Sequence, residues 1–307
     1  MPDINLTMTS EPVAIITGAC SGIGEAFTLD LVRKGWRVAM FDIKPNSDLI
    51  KKLGDAVVFH QVDVAEYESQ ARCFQKTWDK YGRLDLVCTN AGIFDQSSLY
   101  ILNHRHSDVI PPKPNLKCTD INVKGVYYGT QLAIHFMRKN KVPGGTIVAT
   151  ASAASLYPHR GFPEYSGSKA AVWQFVRASA QILQMKENIR INCIRPGSIA
   201  TPLMPAAMAA AAGSGITPMS TVVNALNRII TDESLSGAAL ECSIDKVLLT
   251  PDPEPLNGET STRACFVWDP IFHQIHHEPS GLPDAANPVQ TKASSTAEKG
   301  SGVFAKL

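Results

Sequence analysis

What the chain lacks narrows its function before any motif is considered. No apolar run approaches the roughly 18 residues of a membrane span, and MPDINLTMTSEP at the N-terminus has no basic segment followed by an apolar one, so neither a span nor a secretory leader is expected. Surplus charge is missing as well. The 29 Lys and Arg against 28 Asp and Glu leave a formal charge of +1, and neither sign forms long blocks. A nucleic-acid groove or a membrane-surface patch therefore has no electrostatic basis, and a neutral or small substrate fits better. Paired cysteine motifs are absent too. Cys20, Cys73, Cys88, Cys118, Cys193, Cys242 and Cys265 are odd in number, scattered and without CxxC spacing. That pattern points to reduced thiols, mostly small core residues, in a cytoplasmic compartment.

What is present is a βα alternation. With 307 residues and 44% hydrophobic content, the chain can bury a large core, although size alone does not choose between one domain and two. Short β-rich runs, VAIIT (13–17), WRVAMFD (36–42), AVVFHQVD (56–63), LDLVCTN (84–90), GTIVATAS (145–152) and IRINCIRPG (189–197), alternate with helical patterns. Those patterns cover 23–34, 66–81, 116–139 and 165–186, and GAALECSID (237–245) supplies a last strand after a helix near 220–232. The expected fold is α/β, a single doubly wound parallel sheet of Rossmann-like form with helices on both faces and a ligand crevice at the carboxyl ends of its strands.

Three segments depart from this repeat. Residues 95–115 hold Pro111, Pro112 and Pro114 and read as a loop. The Ala-rich stretch 201–220, bounded by prolines and glycines, reads as a short mobile helix within a substrate loop at 200–220. Beyond about residue 250 the chain turns polar and rich in Pro, Ser, Thr and Gly, apart from ACFVWDPIFHQIHH (264–277). The domain is accordingly expected over 1–250, and 251–307 as a C-terminal extension, disordered in part and especially after Pro279.

Thr17 to Gly24 read TGACSGIG, a turn with Gly18, Gly22 and Gly24 between the first strand and the first helix. A turn this tight needs residues without a Cβ, and the helix N-terminus beyond it attracts anions, so a dinucleotide pyrophosphate belongs there. Asp42 ends the second strand in MFDI, where a carboxylate accepts both ribose hydroxyls and repels a 2′-phosphate. Ala19, Cys20 and Ser21 offer that phosphate no cation, so NAD is favoured over NADP, with Lys44 nearby as the opposing consideration. In YSGSK, Tyr165 and Lys169 lie four apart on one helical face. An adjacent ammonium favours the phenolate and turns a phenol of pKa near roughly 10 into a usable acid/base.

These motifs together resemble the short-chain dehydrogenases/reductases. TGACSGIG is similar to that family's TGxxxGIG turn, TNAG (89–92) to its NNAG strand end, and YSGSK to its YxxxK pair. Ser152, thirteen residues before Tyr165, stands where the family places its catalytic serine, and Asn122 in DINVKG matches the helix asparagine. Pro196-Gly197 and Thr201 resemble the PG turn and the threonine that meets the nicotinamide carboxamide. Asp42 and the ending DESLSGAALECSID are most similar to the 15-hydroxyprostaglandin dehydrogenase-like group, fungal biosynthetic dehydrogenases included. Thr89 departs from the first Asn of NNAG, and TASAAS lacks the usual paired serines, Ser155 being too near Tyr165 to match.

The resemblance implies that Ser152 and Tyr165 bind the substrate oxygen, Tyr165 exchanging its proton while hydride passes to or from the nicotinamide. It implies that Lys169 binds the ribose and that Asn122 positions a water relaying the proton to solvent. The cofactor residues it implies are Thr17, Gly18, Ser21, Gly22, Ile23, Gly24, Asp42, Asp63, Val64, Asn90, Ala91, Gly92, Tyr165, Lys169, Pro196, Gly197 and Thr201. Tyr157, His159, Phe162, Phe94 and the segment from Leu203 to Met219 fall where substrates of the family bind, and favour a hydrophobic secondary alcohol or ketone of secondary metabolism. A reductase coupled to cyclisation or isomerisation, and a non-catalytic nucleotide-binding protein, are the competing readings. No metal is expected, since His273, His276, His277 and Glu278 have neither a rigid scaffold nor cysteine ligands. Expected partners are the small substrate and further copies of the chain, as a homodimer or homotetramer.

Overall fold

The computed structural model describes residues 10–287. The first half alternates as expected: β1 (Val13–Thr17), α1 (Gly22–Arg33), β2 (Arg37–Asp42), α2 (Ser47–Leu53), β3 (Val57–Gln61), α3 (Tyr67–Tyr81) and β4 (Leu86–Thr89). A single turn, α4 (Lys117–Thr119), then runs through a π-helical turn at Asp120–Lys124 into α5 (Gly125–Met137). There follow β5 (Gly145–Thr150), α6 (Pro163–Glu187), β6 (Ile189–Pro196), α7 (Ala206–Ala212), α8 (Met219–Thr231), β7 (Ala239–Ser243) and β8 (Lys246–Leu249). The strands lie in the order β3-β2-β1-β4-β5-β6-β7-β8, all parallel except the β7–β8 hairpin. The order reverses between β1 and β4, which opens a crevice at their carboxyl ends.

Both faces of the sheet are covered, which is why its strands read as unbroken apolar runs. All five residues of β1 are buried. Ile15 faces a core with Phe41, Phe74, Val87, Phe136, Ile147 and Trp173, on the side of α3, α5 and α6. Its neighbours Ala14 and Ile16 face the opposite core with Phe27, Met40, Leu86 and Leu226, on the side of α1 and α8.

Four departures from the sequence reading are local. Helix α2 is only seven residues long and starts on an Asn46 cap, whose side chain accepts from the Leu49 amide at 3.1 Å. Helix α6 begins at Pro163, two residues before the expected start, because proline suits the first helical position. The run expected at 116–139 contains the π-turn. The last strand continues into β8 through a turn that holds Ile244 at φ 51°, with no glycine to mark it.

The chain divides into two compact units, Met1–Thr250 and Pro251–Leu307. Within the second, the described residues form the short α9 (Glu259–Thr262) and α10 (Asp269–His276). At the start of α10, the Asp269 carboxylate accepts from the Ser280 amide at 2.9 Å, and Ala286 pairs with Trp268. Residues 280–287 are thus placed, whereas most of the stretch expected to be disordered, 288–307, lies outside the described residues. No single helix among the described residues is long and apolar enough to cross a membrane.

Candidate active site

The glycine turn between β1 and α1 forms one bank of a cleft. Gly18 and Gly22 sit at φ 65° and 53°, and a Cβ on Gly22 would meet Thr201 at 3.1 Å. At Gly24 a Cβ would stand 2.1 Å from the Gly18 carbonyl oxygen, so the turn closes only on glycine. Gly18, Ser21, Gly22 and Ile23 line the cleft, and the Ser21 side chain makes no capping bond to the first turn of α1. A helix end of this kind, with glycines in its first turn and facing a cleft, suits a pyrophosphate; the residues present fit a dinucleotide. Thr17 and Gly24 build the turn from behind. The Thr17 hydroxyl accepts from the Asn90 and Ala91 amides at 2.9 and 3.0 Å, tying the turn to the end of β4.

Asn90, Ala91 and Gly92 line the floor, and Pro196, Gly197 and Thr201 the wall that follows β6. Asp42 stands apart from the lining, and its carboxylate straps the turn to β2 by accepting from the Cys20 amide at 3.0 Å and the Lys44 amide at 3.3 Å. Asp63 and Val64 also stand apart. Asp63 accepts from the Ala65 amide at 3.0 Å, and Val64 packs where a Cβ on Gly125 would meet it at 3.0 Å.

Tyr165, Ser152 and Lys169 meet on the opposite bank, and all three are buried. Tyr165 falls in the first turn of α6 because Asp95 caps that helix from outside, accepting from the Glu164 amide at 3.0 Å and the Tyr165 amide at 2.7 Å. Burial pushes the Tyr165 phenol above its usual range, and a hydrogen bond with the Ser152 hydroxyl works against that rise. The expected lowering by the neighbouring ammonium is therefore corrected. The Lys169 Nζ lies 5.7 Å from the ring centroid and donates to the Thr150 carbonyl at 2.6 Å, and burial pushes its own pKa down to about 8.

Thr150 in turn donates through its hydroxyl to Asn90 at 3.0 Å, and Asn90 donates to the Thr17 carbonyl at 3.0 Å. One chain of hydrogen bonds so runs from the ammonium to the glycine turn. Asn122 is fully buried in the π-turn, a kind of helix defect that often marks a functional site. Its side chain is committed to the main chain after β4, accepting from the Ile93 amide at 2.9 Å and donating to the Ile93 carbonyl at 3.0 Å. It lies near Lys169 all the same, since a Cβ on Gly92 would meet the Asn122 Oδ1 at 3.1 Å and the Lys169 Nζ at 3.2 Å.

Phe94 lines the cleft and stacks on Phe162 at 4.6 Å, with Tyr165 tilted against it at 4.6 Å and His159 against Phe162 at 4.8 Å. Leu203 and Met204 line the cleft before α7. Asp95 and Thr150 carry no motif and escape a sequence reading; only an acid shortly after TNAG hints at the cap. Asp95, Cys118 and Glu164 bring potential ligand atoms within 4.8 Å of one another, but the two carboxylates already accept from the α6 amides and from Thr119. They serve as a helix anchor.

The family described as short chain dehydrogenase matches residues 12–211. A short-chain dehydrogenase/reductase of Penicillium rubens, prx6, is 46% identical over 292 residues, which cover 90% of this chain and 98% of that protein. The 15-hydroxyprostaglandin dehydrogenase [NAD(+)] of Rattus norvegicus is 30% identical over 259 residues, 76% of this chain and 91% of that one. Among solved structures, the 3-ketoacyl-(acyl-carrier-protein) reductase of Brucella melitensis complexed with NADH shares the fold, with a TM-score of 0.67 at 22% identity over 76% of this chain and 98% of that one. The chain belongs to the short-chain dehydrogenase/reductase family. It is an NAD(P)-dependent oxidoreductase acting on small organic substrates.

Proposed function

We propose that this enzyme interconverts a secondary alcohol and a ketone on a small hydrophobic substrate of secondary metabolism, with NAD as coenzyme. The observation that carries the reading is the pairing of two buried hydroxyls, Ser152 and Tyr165, across one cleft from a glycine-built helix end. Asp42 supports NAD, because it sets a carboxylate at the end of β2 beside the turn. The rat relative, named as an NAD(+) enzyme, supports the same choice. The Phe94–Phe162 stack beside Tyr165 supports an apolar substrate. The scattered, unpaired cysteines support the cytoplasm, and assembly as a homodimer or homotetramer belongs to the same reading.

A bound nicotinamide dinucleotide supplies the hydride acceptor in oxidation and the donor in reduction. The chain's own part is proton transfer and orientation. Ser152 donates to the substrate oxygen and fixes its direction, while the Tyr165 Oη takes the hydroxyl proton in oxidation and returns it in reduction. Lys169, held by the Thr150 carbonyl, places a positive charge behind the phenol and offers its remaining N–H groups to the cleft. Asn122, which fixes the strand end through Ile93, would position a water that relays the proton from Lys169 to solvent.

The test has two parts. Incubation with NAD and a panel of lipid, steroid, terpenoid and polyketide alcohols, followed by NADH absorbance, identifies a substrate. Tyr165→Phe then lowers kcat on that substrate by about two to four orders of magnitude and leaves NADH affinity little changed. Retention of single-turnover hydride transfer within a few-fold of the parent overturns the mechanism.

A further inference from the structure

Arg195 is the largest side chain of the described residues with no solvent exposure, and the chemistry above makes no use of it. It stands in β6 between the fully buried Ile194 and the Pro196-Gly197 wall of the cleft. A guanidinium does not shed its charge, so burying one demands partners for its N–H groups. The Nε donates to the Ser155 hydroxyl at 3.0 Å and Nη1 to the Thr250 hydroxyl at 2.7 Å. Nη2 has no hydrogen bond and approaches Glu241 only to 3.7 Å. The guanidinium also lies 5.0 Å from the Trp173 ring and 5.9 Å from that of Tyr157.

The contact with Ser155 leads straight to the site. Ser155 donates its own hydroxyl proton to the Ser152 carbonyl at 2.6 Å, and its amide donates to the same oxygen at 2.9 Å. Ser152 in turn accepts from the Ala154 amide at 3.1 Å, closing a tight turn around residues 152–155. A hydroxyl that accepts from a cation becomes a better donor, so the guanidinium strengthens the bond that pins the Ser152 main chain. Tyr157, mostly exposed just beyond that turn, rests against the same guanidinium.

We propose that Arg195 is a positioning residue, which through Ser155 sets the Ser152 hydroxyl against Tyr165 and by its contact with Tyr157 steadies the chain just beyond that turn. The proposal rests on Ser152 acting with Tyr165 as described above. A residue that merely ties β6 to the end of β8 would act through Thr250 and Glu241 instead, and the two roles separate by experiment.

Arg195→Met, Arg195→Lys, Ser155→Ala and Thr250→Val are compared with the parent, Ser152→Ala and Tyr165→Phe on the alcohol the parent oxidises fastest. Ser155→Ala and Arg195→Met are expected to lower kcat by about tenfold or more with NADH Kd unchanged, misplacement of a reacting group being costly. Their double variant should be no worse than the more damaged single one. Arg195→Lys, which keeps a cation within reach of Ser155, should recover part of kcat. Thr250→Val should lower the melting temperature and leave kcat alone. Amide exchange over 152–157, read without substrate, should accelerate in Ser155→Ala and Arg195→Met and stay at parent rates in Thr250→Val. If Arg195→Met does not fold, Ser155→Ala alone decides. Ser155→Ala within twofold of the parent in both kcat and exchange overturns the positioning role. If the parent oxidises none of the panel, or Ser152→Ala and Tyr165→Phe keep its activity, the reading of the site fails, and this inference with it.

Discussion

The two banks of the cleft are built by opposite means. On the β1–α1 bank the chain makes room by leaving side chains out, at Gly18, Gly22 and Gly24. On the α6 bank it takes polar side chains out of water and binds each to another: Tyr165 to Ser152, Lys169 to Thr150, Asp95 to the α6 amides. The first bank is therefore intolerant of addition and the second of removal.

The largest expected effect tests intolerance of addition. Gly24→Ala drives a Cβ into the Gly18 carbonyl, which is backbone and cannot swing aside, at a cost of about 3 kcal/mol or more in unfolding free energy. NADH binding should fall with it. Gly215→Ala, where a Cβ meets nothing within 4 Å, is the control and should be neutral. Equal urea midpoints for the two variants would remove the distinction between the banks.

Next comes the cost of the buried ammonium on the other bank. Folded Lys169 releases its proton near pH 8, whereas in the unfolded chain it holds it to about 10.5, so between these values the unfolded state binds the extra proton. Stability gained from this group accordingly rises with pH across that window, by about 3 kcal/mol in full, and below pH 8 the penalty is wholly present. Subtracting the pH profile of Lys169→Met from that of the parent should isolate the rise. A flat difference between pH 8 and 10.5 would mean that the ammonium is solvated.

Asp42 straps the glycine bank to β2 with a carboxylate. NAD(H) should bind about tenfold more tightly than NADP(H), about 1.4 kcal/mol, and Asp42→Ala should narrow the gap. Equal affinities in the parent, by fluorescence titration, would end the case for NAD. The smallest effect is expected at Thr89, where the hydroxyl is buried without a partner. Thr89→Val keeps the shape and removes an unsatisfied group, so the melting temperature should hold or rise slightly. A marked drop would reveal a bond that the hydroxyl makes.

Legibility followed the same division. The glycine bank could be read from the chain because its geometry depends on a residue type at a fixed offset, and the strands because burial on both faces writes an unbroken apolar run, as in Val13–Thr17. The doubly wound sheet emerged in full apart from β8, which follows a turn at Ile244 without glycine. YSGSK marked the helix face of Tyr165 and Lys169. What holds that face was not legible. Asp95 reaches α6 across 70 residues of sequence, and Arg195 reaches Ser155 across 40. No local pattern encodes such bonds. The phenol belongs with them: a spacing of four locates an ammonium but says nothing of the burial that raises the Tyr165 pKa.

The Asp95 cap bears on how much sequence change the chain can absorb beside its buried bank. The loop at 95–115 is fastened at its root to the helix that carries Tyr165, while most of the residues beyond the root are exposed. Replacements along 96–115 should leave Tyr165 where it is, because the Asp95 carboxylate fixes the start of α6 before the loop begins. The anchor thus divides the chain into a part that must stay put and a part that is free to drift.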